Sequence, residues 1–212
     1  MKKLIVLLGL LLTGVVCFAT PATIVFTSFH NNAWQLGYPY TAAINGVSGI
    51  AVMCDDWAHG GGPGQTWQAN FTDLGTGNLS LLRFNQLPNA LTLYDEAGWL
   101  LLQTRVTPST GWPNINYAVW NIFDSQAPLP GTGVGSAGWW LTQAQNEALA
   151  GFPGVNFHQI WIYTPLNQYG VTPGGSLDPG APQELFRPVP EPSTLALMVG
   201  GLAGLLARKK LR

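Results

Sequence analysis

Asn45-Gly46-Val47-Ser48-Gly49-Ile50-Ala51-Val52-Met53-Cys54-Asp55-Asp56-Trp57 is the stretch whose reading decides the fold. An Asn-Gly pair flanked by apolar runs is a strong short-range signal for a two-residue hairpin turn. The run after it reads as a strand over 47–54 that delivers Cys54 at its end. Its partner before the turn is the run 35–43, with Pro39 tolerated near an edge. Residues 23–29, Thr-Ile-Val-Phe-Thr-Ser-Phe, are β-branched and aromatic and read as a strand. Thr66-Trp67-Gln68-Ala69-Asn70-Phe71 alternates and reads as a fourth. The first third of the chain is therefore antiparallel β.

The period then changes. Leu91, Tyr94, Ala97 and Leu101 recur at helical spacing within 89–105. Gly98 weakens that helix by up to about 1 kcal/mol relative to alanine. Pro108-Ser109-Thr110-Gly111 ends it, and Pro113 suits the first turn of the next helix. Ile115, Ala118, Val119, Ile122 and Phe123 give that second helix a buried stripe. Asn116 falls at the inner edge of the stripe, where a buried amide requires partners. Ser136 can cap a third helix bearing Trp140, Leu141, Ala144 and Ala148 and ending at Gly151. Residues 157–163 alternate as a strand, and Glu184-Leu185-Phe186 forms a last short one. Strands, then helices, then strands predict an α+β domain: an antiparallel β-sandwich or barrel with about three inserted helices.

The two ends are a different kind of sequence. Met1-Lys2-Lys3, an apolar run from Leu4 to Val16, and Cys17-Phe18-Ala19-Thr20 follow the order of a secretory signal peptide, residues 1–19. Cleavage after Ala19 is expected, with Ala22 as the alternative. At the other end Pro190-Glu191-Pro192-Ser193 leads into an apolar run, 194–207, and then Arg208-Lys209-Lys210-Leu211-Arg212. As a helix this run spans roughly 20 Å, against a hydrocarbon core of about 30 Å. The basic cluster marks its cytoplasmic side.

Between the ends lies a body, 20–187, long enough for one domain with a core. The chain has nine Lys and Arg and ten Asp and Glu. The cations crowd the termini: the body keeps only Arg83, Arg105 and Arg187, and no lysine. It is acidic, and it lacks the basic footprint of nucleic-acid binding. The nine tryptophans all lie in the body. They serve as core or as stacking platforms for sugars, with core expected for most.

Pro190, Glu191 and Pro192, the short apolar helix and the basic cluster together resemble the PEP-CTERM sorting signal of Gram-negative bacteria, over 188–212. That resemblance implies export, recognition by an exosortase-type membrane protease, removal of a short transmembrane helix at 194–207, and association with surface matrix and exopolysaccharide. The body resembles a second family. Met53-Cys54-Asp55-Asp56-Trp57, Tyr94-Asp95-Glu96-Ala97-Gly98-Trp99-Leu100 and Ile115-Asn116-Tyr117-Ala118-Val119-Trp120 occur in the order found in the thioester domain of bacterial surface adhesins. In that family a cysteine at a strand end is bonded to a glutamine side chain on a helix. Cys54 matches the cysteine, and Asn116 stands at the glutamine position. Asparagine is one methylene shorter, about 1.5 Å of reach. Such a bond forms when a thiolate attacks the carboxamide and ammonia leaves. It needs a dry setting, for which Trp57, Trp120 and Phe123 are the candidates.

Other chemistries compete for the same residues. With Cys17 removed, Cys54 is the only thiol; an unpaired cysteine in an exported protein is either reactive or a small buried hydrophobe. As a nucleophile it would need His30, His59 or His158 as base. Asp55 and Asp56 are adjacent, and on a strand they point to opposite faces. They are expected as solvated or hydrogen-bonded carboxylates, without the spacing of a calcium loop. The glycine-rich run 60–64 lacks the lysine and hydroxyl of a nucleotide site. The expectation is an exported surface or matrix protein that is not an enzyme and uses no cofactor or metal. Its partners are the sorting protease and the membrane, with an exopolysaccharide or another cell-surface ligand outside.

Overall fold

The computed structural model describes residues 21–28, 39–59, 62–166 and 182–189. The signal segment, the sorting motif Pro190, Glu191 and Pro192, and the apolar run 194–207 lie outside the described residues. Six strands form the frame: β1 (Ala22–Ser28), β2 (Tyr40–Ile44), β3 (Val47–Cys54), β4 (Thr66–Asp73), β5 (Ile160–Pro165) and β6 (Leu185–Pro188). Three helices stand between β4 and β5: α1 (Ala90–Gln103), α2 (Trp112–Phe123) and α3 (Ala137–Ala150). Every strand pair is antiparallel, and the sheet closes as a barrel in the order β1-β2-β3-β6-β5-β4.

Local chemistry explains most boundaries. Asn45 and Gly46 both sit at positive φ, 51° and 81°, as a type I′ turn requires. Ser136 caps α3 by accepting the Trp139 N–H, and Gly151 ends it at φ 75°. Asn156 caps a single 3₁₀ turn over Phe157–Gln159. The strand expected from residue 157 therefore starts three residues later, at Ile160. The strand expected over 35–43 is β2, Tyr40–Ile44; residues 35–38 lie outside the described set. The helical stripe on α1 is also turned from the expected one. Ala90, Tyr94, Ala97, Leu100 and Leu101 are buried, while Leu91 is 44% exposed. At about 100° per residue Leu91 falls roughly a quarter-turn from the centre of that face.

Two cores result. Inside the barrel lie the alternating residues Ala22, Ile24 and Phe26 of β1, Tyr40, Ala42 and Ile44 of β2, and Val52 and Cys54 of β3, joined by Trp120 from α2. The second core lies between the helices and one flank of the barrel, where Met53, Ile160, Ile162 and Phe186 meet Tyr94, Ala97, Ile115, Val119 and Phe123. The end of β3 is thus covered on both faces, which is why Val52, Met53 and Cys54 are all buried and the run reads as continuously apolar. Gly98 has a packing reason. A Cβ there would lie 2.8 Å from Ile160 Cδ1 and 2.8 Å from Leu74 Cδ2. The missing side chain lets α1 press onto β5.

Candidate functional site

The end of β3 lies where the barrel meets the helices. Cys54 is fully buried there. Its thiol donates to the Asp56 carbonyl oxygen and accepts the Asp56 N–H, each at 3.2 Å. Burial pushes the thiol well above its ordinary pKa, and Asp55 adds to the shift. The Trp120 indole N–H and Arg83 pull it back by less. The indole N–H makes no hydrogen bond of good geometry to the sulfur. A thiol held protonated is a weak nucleophile.

Asn116 comes to the same place from α2. It is fully buried, and its Nδ2 donates to the Cys54 carbonyl oxygen at 2.8 Å. Its Oδ1 receives no donor. The two residues singled out in the sequence, 62 positions apart, are therefore neighbours in the fold. Trp57 packs on Trp120 with ring centres 5.0 Å apart, and the Tyr117 ring meets Trp120 edge-on at 5.2 Å. Trp57 and Tyr117 are half-buried, so they form the outer layer over this corner. Phe123, the third expected wall, faces elsewhere. It stacks on Phe84 and tilts against Tyr94 in the helical core.

The two aspartates are neither solvated nor alike. Asp56 is 1% exposed. It pairs with the guanidinium of fully buried Arg83, meets His59 Nδ1 at 2.8 Å and accepts the Ala58 N–H at 3.1 Å. Arg83 also donates to the Pro182 carbonyl at 2.8 Å. Asp55 is fully buried, and among the described residues neither of its carboxylate oxygens has a hydrogen-bond partner. Burial raises its pKa well above the carboxylate range, and the Glu184 carboxylate beside it adds to this. Burial and the neighbouring carboxylate both favour the protonated form of Asp55.

Glu184 is the hub of this cluster. Fully buried, it accepts the Arg83 backbone N–H at 3.0 Å, the Tyr94 hydroxyl at 2.6 Å and the Thr164 hydroxyl. Arg83 and Glu184 escaped the sequence reading because they lie 101 residues apart. The available signal was a cation among apolar neighbours, in Leu81-Leu82-Arg83-Phe84, a setting that Arg187 shares in Leu185-Phe186-Arg187-Pro188. Of the three histidines weighed as bases, His59 is engaged by Asp56 and Arg83, and His158 lies on Asp73 at 3.0 Å. His30 lies outside the described residues. Among the described residues no group of three or more His, Cys, Asp or Glu is placed to hold a metal ion. None of the described helices is long and apolar enough to cross a membrane.

Comparisons with known proteins bear on the two parts of the chain separately. Residues 188–210 match the PEP-CTERM protein-sorting motif. The chain carries this motif, which implies exosortase-dependent export and sorting to the cell surface. Among solved structures the chain is similar to the N-terminal domain of the Streptococcus pyogenes pilus tip adhesin Cpa. The identity is 11%, over 81% of this chain and 95% of that one, with a TM-score of 0.43. No curated protein matches in sequence.

Proposed function

We propose that the chain is an exported cell-surface adhesion or matrix protein, made as a signal peptide (1–19), one extracellular domain (20–187) and a sorting signal (188–212). The domain binds a surface ligand such as an exopolysaccharide without covalent chemistry and is not an enzyme. In it Cys54 and Asn116 keep the arrangement of a thioester domain without the bond. One observation carries this last point. The Asn116 amide donates to the Cys54 backbone carbonyl and the thiol donates to the Asp56 carbonyl, so each group already has a partner other than the one it would react with. The short asparagine side chain accounts for this, because packed cores resist the backbone shift that would close the gap. Trp57 and Tyr117, half-buried over Trp120, supply flat faces of the kind that stack on sugar rings.

The covalent alternative has its own support: Cys54 and Asn116 are both fully buried and meet through the hydrogen bond from Asn116 Nδ2 to the Cys54 carbonyl. In that case the Cys54 Sγ–Asn116 Cγ bond forms, the Cγ–N bond breaks, and the thiol proton leaves with the nitrogen as ammonia. Accurate mass of the purified mature protein separates the two. The expected result is the full mass, unchanged by methylamine, with one thiol that labels after denaturation. A deficit of one ammonia, converted by methylamine to an adduct, overturns the noncovalent reading. The ligand is tested by glycan arrays and tryptophan fluorescence. No response to any cell-surface polysaccharide, or a response that survives Trp57→Ala, refutes the binding surface.

A further inference from the structure

The described body runs directly into the sorting motif. The sorting motif begins at residue 188, the final residue of β6. Val189 is still part of the folded body: its N–H donates to the Gln159 carbonyl at 2.7 Å, and its carbonyl accepts from Arg105 Nη2 at 2.9 Å. The apolar run begins at residue 194. An extended chain covers at most about 3.5 Å per residue, so Val189 lies within about 17 Å of that run. Only residues 190–193 stand between the described body and that run.

The surface at this exit is chemically distinct. With Arg83 buried, Arg105 and Arg187 are the only cations the described body turns towards solvent, and both are here. Arg105 also holds Gln159, and Arg187 lies over the Trp161 ring at 5.4 Å. Trp161 is half-buried, and Val106, next to Arg105, is 79% exposed. Asp73 stands opposite Trp161 in the β4–β5 register and is paired with His158; Glu191 of the motif follows in sequence. Arginine, tryptophan and an exposed aliphatic side chain are the residues that settle at a headgroup interface. Elsewhere the described body turns no arginine or lysine towards solvent.

We infer that, before the sorting signal is cut, the barrel end bearing Arg105, Val106, Trp161 and Arg187 rests on the membrane and contacts anionic lipid headgroups. The proposal rests on the anchoring implied by the sorting motif and goes beyond it by assigning the face and the lipid chemistry. Contact orients the body, with the Cys54 corner at the far ends of β3 and β5, and holds the cleavage site at the surface.

The test uses the chain from residue 20 to 212, which lacks Cys17, in vesicles, with a fluorescent probe on Val106→Cys and, as reference, on Leu166→Cys just past the opposite end of β5, about 20 Å along the strand from its start. Cys54 is buried and does not compete for label. Vesicles carry a headgroup nitroxide quencher and either a phosphatidylglycerol–phosphatidylcholine mixture or phosphatidylcholine alone. Quenching at Val106 several-fold above Leu166 is expected in the anionic vesicles. It should fall by more than half in phosphatidylcholine, at high salt, or in the Arg105→Gln, Arg187→Gln double variant. Equal quenching at the two sites, or no dependence on lipid charge, overturns the proposal. The salt arm needs no variant. Quenching at Val106 that appears only with an exosortase-type protease present overturns the lipid partner in favour of the protease. Failure of the chain to enter vesicles at all overturns the proposal together with the anchoring beneath it.

Discussion

Replacing Glu184 with leucine tests whether the buried cluster is as dry and as interlocked as its geometry states. Leucine is close in size and apolar, so little space opens. Three donors lose their acceptor: the Arg83 backbone N–H, the Tyr94 hydroxyl and the Thr164 hydroxyl. An orphaned buried donor costs about 1–3 kcal/mol. The two hydroxyls can rotate and fall at the low end; the fixed N–H does not, giving about 4 kcal/mol in all. Against this, leucine contributes about 1 kcal/mol of apolar burial. The net loss is about 3 kcal/mol, a large share of the 5–15 kcal/mol of an ordinary domain. With a urea slope of about 2 kcal/mol per molar, the unfolding midpoint drops by about 1.5 M at unchanged slope. Glu184→Gln keeps one acceptor and should lose about half as much. The assay is equilibrium urea unfolding of the mature protein followed by tryptophan fluorescence. A midpoint for Glu184→Leu within about 0.5 M of the parent would refute the reasoning, because it would mean that water, not Glu184, satisfies those donors.

The remaining predictions address the amide, the helix contact, the carboxyls and the thiol. Asn116→Gln restores the missing methylene and is expected to bring the mature protein down by one ammonia in accurate mass; full mass would show that chain length alone is not what prevents the bond. Gly98→Ala gains up to about 1 kcal/mol of helix propensity but drives a Cβ into Ile160 and Leu74, and overpacking typically costs about 1–3 kcal/mol; thermal melts should show a net loss, and a gain would mean α1 does not press on β5. Burial raises Glu96 from an ordinary 4.5 to about 7. The folded state therefore holds that proton longer than the unfolded state, and stability falls as pH rises from about 4.5 to about 7. Glu96→Gln should flatten the slope in urea titrations across that window, and an unchanged slope would remove Glu96 as its source. Cys54, buried and held protonated, should resist iodoacetamide in the native protein at neutral pH and react once in denaturant; rapid native labelling would instead indicate an activated thiolate.

The fold was readable in sequence wherever a short-range signal existed. Asn45-Gly46 set the β2–β3 hairpin, and Ser136 and Gly151 set both ends of α3 within a residue. The candidate site was half legible. Cys54 and Asn116 could be paired because each lies in a recognisable local pattern. Their polar surroundings could not. Asp55 and Asp56 read as ordinary acids, yet one is buried beside Glu184 with its pKa pushed up and the other is locked to Arg83. A carboxylate's state depends on what burial brings next to it, and no neighbouring residue encodes that. Phe123 shows the same limit on a helix: periodicity gave its burial, but its core was chosen by how α2 lies between the barrel and the other helices.

By itself the sequence determined the sorting motif at 188–210, the order of strands and helices, and their turns and caps, because each of these is fixed by residues only a few positions apart. Tertiary structure alone decided that the sheet closes, with β6 from the far end of the chain inserted between β3 and β5. It also decided that the same insertion carries Glu184 to Tyr94, Thr164 and Arg83. Closure satisfies edge hydrogen bonds and buries apolar faces that are both unpaired until distant segments meet. Those energies belong to the assembled barrel and to no stretch of the chain within it.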